Sequence, residues 1–449
     1  MINAVLMPTA NGTPLKADFG GGITTISIQA YFDTGASGVL ISRQTAEYLN
    51  VQLAKNGATP IVFSDIGVGG SENFEVSIPY HIGLAPYNDA IDTESPASYS
   101  QSFGPIRAQI AYAPDNPQLE GLDVFGMPVF AGKVVVINPQ NANPYLPNGT
   151  PKDIFTLGHT NVNVYDPGTT YKPATLENDP GIPNVAHHVK LSYARFDRFT
   201  SVTPDAAAGP TLAHNPFVGP NPVLALETNP APDATPPVTF GFEGKSTTGS
   251  FLLDTGASAS MISKAKAAAL SIRYRSGTET TAAPKLELFN PANPAALGTL
   301  LLDQFTIALG GVGGTKTLAG FYLDDLILKT MEGNAADNND PLHMHYRGAP
   351  VLVNDISLAD PLTGQTLTLD GILGMNLLAG SADISVGGAL GIEIGAMANS
   401  PYDWIVFDEP NGTLGLAMAG ETITAVPEPG IWYGAVGLLC VLLAHRIRK

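Results

Sequence analysis

The chain has 449 residues, enough for two or three domains with sizeable cores. Its 48 glycines, 37 prolines and 14% charged residues argue against long helices and for a turn-rich, all-β protein. A net charge of −18 disfavours nucleic acid as a partner, and a single cysteine, Cys440, excludes an intrachain disulfide, a cysteine zinc site or a thiol nucleophile in the body of the chain. So few cysteines are compatible with export from a bacterial cell.

Taken in order, residues 1 to 22 are Gly-rich and polar, and Met1 to Met7 is too short an apolar run for a secretory signal. Ile23 to Phe32 reads as a strand running into Asp33-Thr34-Gly35-Ala36-Ser37, and Arg43 to Leu49 as a short helical turn. Alternating residues around Ile66-Gly67-Val68-Gly69-Gly70 predict a hairpin between Ile61 and Leu84. Lys133 to Pro139 reads as a buried strand closing a first β lobe, residues 1–202, with an insertion at about 140–200 that holds a strand candidate at Val189 to Phe196. Residues 203–237 carry nine prolines and read as an extended strap between lobes.

A second lobe, 238–420, repeats the first. Phe251-Leu252-Leu253 leads into Asp254-Thr255-Gly256-Ala257-Ser258, and the match continues at a constant offset of 221 residues: Ile41-Ser42-Arg43 with Ile262-Ser263-Lys264, Ala46 with Ala267, Leu49 with Leu270. An ungapped match of this length marks an internal duplication. Leu300 to Leu309 with Gly310 to Gly314 is the corresponding hairpin candidate, and Trp404 to Ala417 a strand-turn-strand closing the second lobe.

Each copy delivers an Asp into a tight turn, with Gly35 or Gly256 expected to relieve the turn through positive φ. Two units related by a pseudo-twofold bring Asp33 and Asp254 face to face. Carboxylates at about 3 Å cannot both ionise, so they share one proton, and the pair takes a proton from water while giving one to a carbonyl oxygen. That is amide hydrolysis with no metal, cofactor or covalent intermediate.

The doubled Asp-Thr-Gly-Ala-Ser, each copy followed by a hydrophobic-hydrophobic-Gly signature at Val124-Phe125-Gly126 and Ile372-Leu373-Gly374, resembles the aspartic peptidases of the pepsin and retropepsin type. Alanine after the glycine is nearer the retropepsin form; two fused lobes are nearer pepsin. The resemblance implies a bilobal, pepsin-like all-β fold of two barrel-like lobes with a cleft between them, and a polypeptide substrate held there by a monomer under one or two flaps. It implies that Asp33 and Asp254 are catalytic, that Thr34 and Thr255 hydrogen-bond across the lobe interface, and that Gly126 and Gly374 pack behind the Asp loops. Ser37 and Ser258 are expected to reach the outer carboxylate oxygens. A tyrosine matching the pepsin flap is absent, so no flap residue is assigned.

The tail runs Val426-Pro427-Glu428-Pro429-Gly430, then fourteen uncharged residues, Ile431 to Ala444, then His445-Arg446-Ile447-Arg448-Lys449. As a helix the apolar run spans about 21 Å, short for a bilayer core. The tripartite segment resembles the PEP-CTERM sorting signal of Gram-negative bacteria. That implies export to the cell envelope, transient membrane anchoring, and recognition of Val426–Lys449 by an exosortase-type enzyme. His343-Met344-His345 with Asp337 and Asp340 suggests a metal site, against which a solvated polar loop is the favoured reading. The alternative to an enzyme is an idle or zymogen-like surface protein that uses the same fold to bind the envelope.

Overall fold

The computed structural model describes residues 2–18, 24–36, 38–86, 99, 101–111, 122–130, 132–139, 161–165, 185–191, 194–195, 224–225, 238–334, 336–359, 366–378 and 401–418. Ser37, most of 140–237 and the whole of Val426–Lys449 lie outside them. Met1–Ala419 forms one compact unit. Among the described residues no helix is long and apolar enough to cross a membrane.

The duplication read from the sequence is a duplication of topology. In the first lobe, Ile28–Phe32 pairs in parallel with Val124–Phe125. Outward from there follow Val39–Ile41, antiparallel, Gln109–Ala111, parallel, and Gly70–Val76 and Val62–Gly67, both antiparallel. The second lobe repeats each step with Phe251–Leu253, Gly371–Leu373, Met261–Ile262, Met344–Val353, Gly314–Leu328 and Gln304–Gly311. The same order and the same sense of pairing twice over make the two Asp loops pseudo-equivalent. The remaining edge of the first sheet is built by Ile2–Met7, Tyr80–Pro86 and Gln101–Ile106.

The short helices follow each Asp loop as expected, at Arg43–Tyr48 and Lys264–Ala269. Each begins at a serine, Ser42 or Ser263, whose hydroxyl accepts the amide of Thr45 or Lys266 and so satisfies a donor that the first turn leaves open.

One expectation changes. Val134–Asn138 and the Tyr402–Asp408/Thr413–Met418 hairpin do not close separate lobes. They lie side by side in a single five-stranded sheet with Asn161–Tyr165 and His187–Lys190, so strands from both halves share one ladder. Both faces of Val134–Asn138 are buried, which is why it reads as an unbroken apolar run. The main core cluster accordingly runs through both lobes, from Phe32, Phe125 and Phe130 to Phe251, Leu373 and Phe407. Phe32 and Phe130 meet edge to face at 4.3 Å.

Candidate active site

Both aspartates leave their strands at the same point. The Asp33 amide donates to Phe125 O (3.0 Å), and the Asp254 amide to Leu373 O (3.0 Å), so each loop is tied to the strand that carries the hydrophobic-hydrophobic-Gly signature. Each Asp carboxylate then accepts two amides of its own loop. Asp33 Oδ1 takes Gly35 (2.7 Å) and Ala36 (3.1 Å); Asp254 Oδ1 takes Gly256 (2.9 Å) and Ala257 (2.8 Å). Ser258 stands exposed and is not a partner of either carboxylate, so the amides fill the place expected for its hydroxyl. Ser37 lies outside the described residues.

The structure gives the two glycines a different role from the one expected. Neither adopts positive φ. A Cβ on Gly35 would fall 2.4 Å from Asp254 Cγ, and one on Gly256 would fall 2.2 Å from Asp33 Oδ2. Each glycine is bare because the opposite carboxylate rests on it.

Thr34 and Thr255 lock this arrangement. The Thr34 hydroxyl donates to Leu253 O (2.7 Å) and accepts the Thr255 amide (3.1 Å); the Thr255 hydroxyl donates to Phe32 O (2.8 Å) and accepts the Thr34 amide (3.0 Å). Four bonds cross the lobe interface through two side chains, and Thr34 is fully buried. Thr34→Val keeps the shape but strands Leu253 O and the Thr255 amide, and should lower stability by about 2–4 kcal/mol in denaturant titration. Thr34→Ser should recover most of that loss.

Behind the loops, the Gly126 amide donates to Gly38 O (3.0 Å), and the Met375 amide to Ala257 O (2.8 Å). A Cβ on Gly126 would meet Gly38 O at 2.3 Å; one on Gly374 would meet Ala257 O and Ala259 O at 2.8 Å. Both positions pack directly against the backs of the Asp loops. The second lobe adds a polar brace that the sequence reading missed: Ser260 Oγ donates to Asn376 Oδ1 (2.7 Å) and accepts the Gly374 amide (2.9 Å). In the first lobe Asp123, two residues before Phe125, takes the Ser42 amide and the Thr45 hydroxyl, each at 2.7 Å. Burial pushes its carboxyl up to about 6 despite these bonds.

Desolvation raises both Asp33 and Asp254, and the two carboxyls are within hydrogen-bonding reach of each other. They are not equivalent. Asp33 is held down by the Asp254 bond and by the Gly35, Ala36 and Gly256 amides. Asp254 is driven well up, first by burial and then by the charge of Asp33. Two buried carboxyls in contact cannot both be ionised, so the pair shares one proton. Both residues keep part of their surface open.

The two lobes also meet through a pair of hairpins. Val62–Gly67/Gly70–Val76 from the first lobe meets Gln304–Gly311/Gly314–Leu328 from the second, tip to tip. The Gly69 amide donates to Val312 O (3.0 Å), and the Gly313 amide to Glu72 Oε2 (3.0 Å). A Cβ on Gly69 would strike Gly313 and Gly314 backbone at 2.5 Å, so the glycines let the two tips cross in contact. Val312 reaches the first lobe and packs with Leu40, Phe74, Ala111 and Val124 beside the Asp33 loop.

Residues 331–334 and 336–342 form a largely exposed turn, as expected of a solvated polar loop, with His343 buried at its base. His343 is buried, accepting the Thr330 amide at Nδ1 (3.1 Å) and donating from Nε2 to Asn334 O (2.9 Å), so its imidazole stitches a turn. Among the described residues no His, Cys, Asp and Glu cluster is disposed to hold a metal.

Residues 237–308, which contain the second Asp loop, match a family model described as aspartyl protease. Among curated proteins none matches the chain.

Proposed function

The chain has the all-β aspartic protease fold, and we propose that it is an aspartic endopeptidase whose attacking water is activated between Asp33 and Asp254. The observation that carries this reading is the pair of half-open carboxylates, pressed together over two bare glycines and both raised by burial. Asp33, ionised, takes a proton from the water. Asp254, protonated, gives its proton to the scissile carbonyl oxygen as the tetrahedral intermediate forms. Asp33 then gives its proton to the leaving nitrogen while Asp254 takes one back from a hydroxyl of the intermediate, so the C–N bond breaks and the starting state is restored. Thr34, Thr255, Gly35 and Gly256 hold the two carboxyls in register, and the loop amides keep the Asp33 charge in place.

The substrate is an extended polypeptide lying in the cleft beneath both flaps, and the chain acts as a monomer since it carries both halves of the site. The terminal segment Val426–Lys449 supports export, exosortase-type recognition and delivery to the cell envelope.

The test is cleavage of an unbiased peptide mixture from pH 3 to 8 by protein lacking residues 426–449, beside its Asp33→Asn and Asp254→Asn variants. Cleavage by the parent, lower by at least ~10³-fold in either variant, is the expected result. A folded parent that cleaves nothing would shift the reading to an idle surface protein. In the native cell the same truncation should move the protein from the envelope to the medium; unchanged retention would remove the sorting role from the tail.

A further inference from the structure

The two halves of the cleft are equivalent in backbone and unlike in chemistry. Their strand pairings place Leu40 opposite Met261 in the pseudo-twofold, because each begins the pairing of its short strand with Gln109–Ala111 or Met344–Val353. The same register sets Ala111 against Asn354, Phe74 against Leu318 and Glu72 against Lys316, and the flap-tip glycines Gly69 and Gly70 against Gly313 and Gly314. In the first lobe Leu40, Phe74, Ala111 and Val124 make an apolar cluster filled by Val312 from the opposite flap, and Glu72 accepts the Gly313 amide of that flap.

The second lobe keeps Met261, Leu318 and Ile372 but puts an amide where the first has a methyl. Asn354 is 4% exposed, and its Oδ1 accepts Lys316 Nζ at 2.8 Å. Lysine has only donors to offer, so this contact fixes which end of the Asn354 amide is oxygen. The other end, Nδ2, is buried and has no hydrogen-bond partner. An unpaired buried donor is costly and rarely kept without a use. Lys316 lies in the returning strand of the second flap, half-buried, and its amine is bonded to a neutral oxygen with no carboxylate partner among the described residues. Two donors, one of them cationic, thus converge on the second-lobe recess, while the first lobe has none.

We propose that Asn354 and Lys316 form a specificity pocket for a carboxylate side chain of the substrate, with no counterpart in the first lobe. A substrate carboxylate accepts the unused Asn354 Nδ2–H and meets the Lys316 charge; an aliphatic chain there leaves both unsatisfied. The substrate class is therefore a polypeptide with Glu or Asp at one position beside the scissile bond. This rests on the peptidase reading above.

The experiment scans Glu, Gln, Leu, Lys and Arg at each of the six positions flanking a cleavable bond, and measures kcat/KM for the parent, Lys316→Met and Lys316→Glu. The expected result is one position at which the parent prefers Glu to Leu by roughly tenfold or more. That preference is lost or inverted in Lys316→Met. In Lys316→Glu it is replaced by a preference for Lys or Arg, a gain that misfolding does not produce. An unchanged Glu-to-Leu ratio in both variants overturns the pocket and leaves the peptidase intact. If no peptide is cleaved, the peptidase reading fails, and binding of reduced-amide peptides to the same proteins decides the pocket: a Glu preference that Lys316→Met removes supports it, and equal binding of Glu and Leu peptides overturns it.

Discussion

Gly256→Ala should abolish peptide hydrolysis and loosen the whole molecule, although it adds a single methyl. That methyl would sit 2.2 Å from Asp33 Oδ2 and 2.4 Å from Asp33 Cγ. The carboxylate cannot retreat, because Gly35 and Ala36 amides hold its other oxygen. Relief comes only by parting the Asp loops, which stretches the four Thr34–Thr255 bonds and moves the two carboxyls out of contact. Overpacking of a fixed site costs about 1–3 kcal/mol or more, and misplacing reacting groups by about 1 Å costs on the order of 10²-fold in rate. Both losses should appear together, in thermal melting and in kcat. Gly35→Ala should behave the same way, since its methyl would meet Asp254 Cγ at 2.4 Å. A Gly256→Ala protein with parental activity would mean that the two carboxyls do not work as a contact pair.

Stability should fall as the pH rises from about 4 to 7. Asp33, Asp254, Asp123 and Glu409 are all raised in the folded protein, chiefly by burial. The native state then binds more protons than the unfolded chain across this range. A raised acid contributes its stability in full below its unfolded value and loses it as pH climbs through the folded one. For Asp123, moving from 3.8 to about 6, the window is pH 4 to 6 and the contribution about 2–3 kcal/mol. Glu332 and Asp340 are shifted down, so their contributions are lost only in stronger acid and place the optimum near pH 4. Asp254→Asn should flatten the profile and make the protein more stable than the parent at pH 7, while removing activity. Denaturant midpoints at pH 4, 5.5 and 7 check this; a parent that gains stability toward neutrality would contradict the proton count.

The site was legible because its residues are repeated. Asp33 and Asp254, with their threonines and the signatures ending at Gly126 and Gly374, stand at matched spacings, and a local motif is what a sequence displays well. The reason for the central glycines was not legible. Positive φ is the usual cause, whereas the close approach of a carboxylate from another part of the chain is a tertiary fact. The same holds for Ser260 and Asn376, which find each other across 116 residues, and for Lys316 and Asn354, whose meaning appears only when the two sheets are superposed in register. Ser258 misled for the opposite reason: it is near Asp254 in sequence, but the loop turns it outward and lets backbone amides do its work. The shared sheet was hidden because a strand buried on both faces carries no mark of its neighbour.

That shared sheet sets a clock. Val134–Asn138 lies beside Tyr402–Asp408, more than half the chain away. The first lobe reaches its final edge pairing only after the last strands of the second have been synthesised, and such distant contacts are the slow ones in folding. A nascent chain holding Asp33 alone has half of a dyad, and one holding both loops still lacks Tyr402–Met418, the hairpin that joins the ladder. The ladder that joins the two halves thus waits for Tyr402–Met418, so the shared sheet forms late in synthesis whatever the lobes have done before.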